Sequence, residues 1–169
     1  MCEICDRMTY EEANARQAAR IEEHGYTMQF VGDSDDDANG WVYTIGLLDI
    51  ADHPELILAG VTPRLGAALV GSCASGVLDG ECFHVGDRID FGDAIADVGA
   101  VHPIQYELDT FASWYRMQER GAVRARDLWA VQIVLPHFGF GAARSRQPRL
   151  DRVHARVGVS VPTSKRGRR

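Results

Sequence analysis

Apolar residues in this chain recur with two different periods, and the switches between them mark out the elements. Between residues 9 and 24, Tyr10, Ala13, Ala18 and Ile21 give a modest helical face. The segment Thr9-Tyr10-Glu11-Glu12 has the T-x-x-E form of a capping box, in which the Thr9 hydroxyl accepts from a first-turn N–H while Glu12 reaches back. Gly25 suits a left-handed stop. Residues 26–31 read as a strand. Residues 41–48, with Trp41, Val42, Tyr43, Thr44 and Ile45, are rich in β-branched and aromatic side chains and read as a buried strand. Residues 55–61 are a second apolar run, and the short turn between the two predicts an antiparallel hairpin. Thr62 then caps a helix with Pro63 in its first position, where a missing N–H costs nothing. Leu65, Ala68, Leu69, Ser72, Cys73 and Gly76 keep helical spacing, and Gly80 ends it.

Short alternating runs at 81–85, 88–91 and 94–98, separated by Gly86-Asp87 and Gly92-Asp93, predict a β-meander. Residues 107–120 predict a further helix with Leu108, Phe111, Trp114 and Tyr115 on one face and Gly121 as its stop. Residues 128–135 predict a strong strand that Pro136 closes. Strands and helices mix without regular βαβ alternation, so the expected fold is α+β: a mixed or antiparallel sheet with about three helices packed on it. The loop at 32–40 carries Asp33, Asp35, Asp36 and Asp37 but lacks the calcium-loop spacing and its closing glutamate, so a solvated loop is expected.

Charge divides the chain. The formal net charge is -6 over 169 residues, yet residues 144–169 hold nine Lys/Arg against the single acid Asp151. Residues 1–143 are the acidic remainder. The expected organisation is one acidic domain over 1–143 and a basic, disordered tail over 144–169. The tail has no aromatic residue to stack on bases, so nucleic-acid contact is expected to be weak phosphate contact at most. No run reaches the roughly 18 apolar residues of a membrane span, and the acidic, polar start lacks the form of a secretory leader. The expected compartment is the cytoplasm, with Cys2, Cys5, Cys73 and Cys82 reduced.

Two groups of residues carry potential chemistry. The hairpin connection holds Asp49, Asp52, His53 and Glu55, with His53 pushed into extended backbone by Pro54. A histidine among carboxylates suits a general base or a metal ligand, which makes His53 and Glu55 the catalytic candidates. The competing reading is structural: the His53 ring bonds backbone and Glu55 is solvated. The second group is Cys2, Cys5, Cys82 and His84. Cys2-x-x-Cys5 has zinc-knuckle spacing, and Cys82 and His84, two apart on an expected strand, share a face, so together they offer four ligands to a tetrahedral zinc. A redox role for the N-terminal pair, just ahead of the Thr9 helix, stays open. The structural alternative is flexible N-terminal thiols with Cys73 and Cys82 in the core. No phosphate-binding glycine loop and no serine nucleophile elbow occur.

Tyr43-Thr44-Ile45-Gly46-Leu47 and His53-Pro54-Glu55-Leu56, followed by an apolar strand and the Pro63 helix, resemble the DUF4262 domain family. The resemblance extends to Cys2, Cys5 and Asp6, to His24-Gly25-Tyr26, and to the aliphatic strand that ends at Pro136, and covers about residues 1–141. Members usually carry Asp after that proline, where this chain has His137. The resemblance implies a bacterial protein of this size and fold, and no mechanism. Two functions then compete. In one, the chain is a binding module that presents a groove near the 41–61 hairpin, lined by Tyr43, Asp52, His53 and Glu55, to a protein or small molecule. In the other it is a zinc or thiol enzyme built on His53, Glu55 and the cysteines.

Overall fold

A computed structural model describes residues 9–31, 40–101 and 130–135. Helix α1 (Tyr10–His24) starts at the expected capping box. The Glu12 amide donates to the Thr9 hydroxyl at 3.2 Å, and the Thr9 amide donates to the Glu12 carboxylate at 2.8 Å. The Thr9 amide first, and the Thr9 hydroxyl at 3.0 Å second, donate to the Glu12 carboxylate and hold it below its ordinary range. The helix stops at Gly25, whose φ of 80° lets its amide return to the Ile21 carbonyl. Strands β1 (Thr27–Val31) and β2 (Trp41–Ile45) follow, then a five-residue helix α2 (Leu47–Ala51), strand β3 (Glu55–Ala59) and helix α3 (Pro63–Leu78). Strands β4 (Arg88–Asp90), β5 (Ile95–Ala100) and β6 (Ala130–Val134) complete the described elements.

The strands form one six-stranded sheet in the order β1-β2-β3-β6-β5-β4. The 41–61 hairpin is real: Trp41 faces Ala59 and Tyr43 faces Ile57 across an antiparallel pair. Strand β6 lies parallel to β3, with Glu55 opposite Ala130, and antiparallel to β5, with Val98 opposite Ile133. The sheet is therefore mixed, as expected for the α+β class. Among the described residues, no helix is long and apolar enough to cross a membrane.

Alternation along β2 and β3 sends side chains to two buried faces. Val42, Leu56, Leu58, Val131 and Ile133 pack with Val70, Cys73, Ala74 and Val77 of α3. On the second face, Trp41, Tyr43, Ile45, Ile57 and Ala59 form another buried cluster, with Ile21 of α1 packed against it. The Trp41 and Tyr43 rings stack there at 4.9 Å. Each fully buried aliphatic side chain contributes about 1.5–3 kcal/mol relative to exposure.

Three local expectations need correction. The strand expected over 41–48 ends at Ile45. Gly46 takes φ 117°, where a Cβ would meet Ile21 Cγ2 at 3.0 Å and the Gly25 carbonyl at 3.1 Å, and the chain turns into α2. Thr62 precedes α3 as expected, with Pro63 in the first turn, but its side chain makes no cap bond. The strand expected over 81–85 is irregular instead. Its amides are satisfied elsewhere: Glu81 donates to the Gly76 carbonyl, Phe83 to the His53 ring and His84 to the Asp87 carboxylate. With these donors taken, the segment has no ladder to make. The expected helix at 107–120, the aspartate loop at 32–39, and the tail at 144–169 lie outside the described residues.

Candidate functional site

The turn between β2 and β3 is built around Glu55, which is 1% exposed. Its Oε2 accepts from the Thr44 hydroxyl at 2.6 Å, and its Oε1 accepts from the amides of Gly46 at 2.9 Å and Leu48 at 3.3 Å. Gly46 and Leu48 lie at the start of α2, where backbone N–H groups have no partner within the helix. Gly46 has no side chain to cap them, so β3 supplies the cap from across the hairpin. Thr44 completes the knot by accepting from the Leu56 amide at 2.9 Å. The two motifs that carry the family resemblance thus interlock through hydrogen bonds. The expectation of a solvated Glu55 fails, because the first residue of β3 points into this knot and not outward. Tyr43 is equally buried, and its phenol is pushed above its ordinary value by burial first and by Glu55 second.

His53 is 2% exposed. Its Nδ1 lies 2.7 Å from the Pro54 carbonyl oxygen, which can only accept, so Nδ1 carries the hydrogen. Nε2 is then bare, and it accepts from the Phe83 amide at 2.9 Å. Both ring nitrogens are engaged by backbone, as the structural reading of the sequence has it. Burial lowers the His53 pKa, the Pro54 bond opposes that shift, and His84 adds to it. Proton uptake at Nε2 would set an N–H against the Phe83 N–H. The Phe83 ring packs edge-on against the imidazole at 5.9 Å. Asp52 is exposed in the left-handed region at φ 50°, at the C-terminal end of α2.

His53 in turn anchors the 81–87 segment. Phe83 packs against the core, and its neighbours Cys82 and His84 are exposed. Cys82 Sγ stands 3.6 Å from His84 Nε2. The other ring nitrogen, Nδ1, is 3.5 Å from Asp87 Oδ2, which also accepts from the His84 amide at 2.7 Å. Cys82 is thus a surface thiol and not a core residue; Cys73 is the buried one, its thiol pushed up to about 11 by burial first and by Glu81 second. Two of the four expected zinc ligands come together, off a strand and not on one. Cys2 and Cys5 lie outside the described residues. Among the described residues, no three His, Cys, Asp or Glu side chains gather as metal ligands. Glu55 is not part of the Cys82–His84 group, since its oxygens are held at α2.

Sequence reasoning missed Asp87 and Thr44 as partners. The Gly86-Asp87 turn announced a bend, but not that the Asp87 carboxylate reaches back to the His84 amide. Nothing local announced Thr44, whose bonds cross the hairpin.

No curated protein and no solved structure matches the chain. The family model described as a domain of unknown function, DUF4262, matches residues 20–139 and so includes the Glu55 knot, His53 and the Cys82–His84 pair but not Cys2 or Cys5. The chain belongs to the DUF4262 family.

Proposed function

We propose that the protein is an interaction module whose acidic rim beside the 41–61 hairpin receives a basic polypeptide segment. One observation carries this reading: the polar groups inside the hairpin are consumed by the fold, while those around it face solvent as carboxylates. Tyr43, His53 and Glu55 are buried, so a partner meets the connection instead, where Asp49, Ile50 and Asp52 are exposed. The His53–Phe83 bond joins this corner to the 81–87 segment, which adds exposed Glu81, Val85 and Asp87. The β4–β5 hairpin carries further exposed carboxylates, Asp90, Asp93 and Asp97, toward the other end of the sheet, since Asp97 pairs with Val134 at the far end of β6 from Ala130 and Glu55. Arg88 is the only Lys or Arg on these segments, and it lies 3.8 Å from Asp97. Carboxylates interspersed with uncovered Ile50 and Val85 suit a segment that alternates basic and apolar side chains.

The test is fluorescence anisotropy of a labelled peptide of alternating Arg and Leu, titrated with the full chain. Binding is expected at low salt and weakens by about tenfold or more at high salt, as screened charge requires. A variant with Asp49→Lys, Asp52→Lys and Glu81→Lys is expected to lose it. Equal binding by that variant, or none by the native chain at low salt, contradicts the reading.

A zinc site is the second reading, favoured by one distance. Two ligands of a tetrahedral zinc, thiolate and imidazole, stand about 3.5 Å apart, and Cys82 Sγ and His84 Nε2 are 3.6 Å apart. Asp87 behind the ring matches the carboxylate that commonly orients a ligating histidine. Cys2 and Cys5 would complete the set. Elemental analysis tests this: stoichiometric zinc that is lost in Cys5→Ser supports it, and its absence removes it.

A further inference from the structure

We propose that residues 152–161 of the chain's own basic tail add to the outer edge of β4 as a further strand, antiparallel to it and within the same molecule. Among the described residues, β4 ends the sheet and pairs only with β5. Two bonds show which way its backbone faces. The Phe91 amide donates to the Ala94 carbonyl at 2.9 Å, and the Val98 amide donates to the Asp87 carbonyl at 2.8 Å. Residues 87, 89 and 91 therefore turn their backbone toward β5. Bonding alternates along an antiparallel strand, so Arg88 and Asp90 turn theirs outward, to the edge that no described strand occupies. The two faces of this edge differ. On one, Ile89 is buried and Phe91 packs against the same cluster. On the other, Arg88, Asp90, Ile95 and Asp97 are exposed, with Arg88 set 3.8 Å from Asp97. An edge with a dry side and an acidic side is a template for one more strand of complementary pattern.

The tail carries that pattern. In Arg152-Val153-His154-Ala155-Arg156-Val157-Gly158-Val159-Ser160-Val161 every second residue is apolar, and the residues between are basic, small or polar. A period of two belongs to a half-buried strand and not to a helix. Setting Arg156 opposite Asp90 satisfies both faces at once. Val157 then lies beside Ile89, and the small Ala155 beside the large Phe91. On the acidic side Arg156 meets the Asp90 carboxylate, and Gly158 falls opposite Arg88, where a basic residue would meet a like charge. A slip of one residue would set the valines among the carboxylates. The direction follows from the topology. Strands β4 and β6 are parallel, since each is antiparallel to β5, and Val134, Asp97 and Arg88 lie in one row. The chain therefore leaves β6 heading toward the Phe91 end of β4, where an antiparallel strand enters. Residues 135–151 join the two, and extended they reach about 55 Å, against about 15 Å for three strand spacings. This edge is separate from the corner at Asp49 and Asp52, and the inference does not rest on that corner.

The experiment is amide hydrogen exchange of the full chain, followed residue by residue by NMR at low salt. The Arg88 and Asp90 amides are expected to exchange about tenfold or more slowly in the native chain than in Gly158→Pro, which removes one amide from the added ladder. Within the tail, the Arg156 and Gly158 amides are expected to be slow and the Val157 amide fast, because alternate residues face β4. Ile89, whose amide faces β5, is expected to change little, which separates loss of the tail from loss of the sheet. Arg156→Glu releases the Arg88 and Asp90 amides in the same direction. Asp90 is left in place, because its carboxylate also accepts from the Gly92 amide at 2.8 Å and closes the turn. Equal Arg88 and Asp90 rates in the native chain and both variants overturn the proposal. So does a tail that exchanges without alternation. Protection at Asp49 and Asp52 that vanishes in Gly158→Pro would move the tail to the corner and overturn the β4 assignment. Protection of Arg88 and Asp90 that grows with protein concentration would give the strand to a second copy and overturn its origin in the same molecule.

Discussion

His53 and His84 are joined through one peptide unit, since the Phe83 amide that bonds the first ring immediately precedes the second residue. Their surroundings are opposite. His53 is sealed in, with a carbonyl on one nitrogen and an amide on the other. His84 is exposed, with a carboxylate on one nitrogen and a thiol on the other. Backbone partners fix a ring but cannot respond to a substrate, whereas side-chain partners at the surface can exchange protons with one. A histidine within a family signature is therefore a poor guide to chemistry here. The signature residues Thr44, Gly46, His53 and Glu55 hold the corner, and the groups left available stand on the segment that the corner supports.

The comparison breaks most visibly at Glu55. Glu55→Ala leaves the Thr44 hydroxyl and the Gly46 and Leu48 amides without their acceptor in a buried site, which is expected to cost about 3–5 kcal/mol in urea unfolding. His53→Ala comes next. It strands one amide and one carbonyl and opens a cavity, a loss of about 3 kcal/mol. Amide exchange at Phe83 and His84 is expected to accelerate in that variant more than exchange in β2. The pH dependence has a definite sign. A histidine whose folded pKa is depressed stays neutral longer in the folded state, so the unfolded chain binds the proton first. The contribution of His53 is complete above about pH 6.5, the free-histidine value, and is lost as pH falls from there through the lowered folded value. That part of the acid dependence is expected to vanish in His53→Ala. The smallest effects belong to the exposed group: Cys82→Ser and His84→Asn are expected to change stability by less than about 0.5 kcal/mol. A large loss in either would mean that the surface group, too, is part of the scaffold.

Local signals in the sequence were enough where the bonds are local. The Thr9–Glu12 box, the Gly25 stop and the Pro63 start of α3 all appear where the pattern places them. The hairpin was legible because two β-rich runs flank a short turn. Helix α2 was not, because Leu47 and Leu48 continue an apolar run, and the cap that allows a helix comes from β3. The 81–85 segment misled for the complementary reason. Its alternation is that of a strand, but a ring from the hairpin and a carboxylate from the next turn take the amides a ladder would use. At the site, His53 and Glu55 were found as residues but their burial was not, since burial depends on the strands that pair beside them. Cys82 and His84 stand near each other although the strand expected to align them is absent, while Asp87 was seen only as part of a turn.

The most direct measurement is of the His53 ring itself, by long-range nitrogen–proton correlation NMR across a pH titration. The account predicts a neutral ring with hydrogen on Nδ1 and a bare, hydrogen-bonded Nε2, a state that persists as pH falls below the free-histidine value. A ring with hydrogen on Nε2, or one that takes up its proton as readily as free histidine, would contradict it and return His53 to the catalytic candidates.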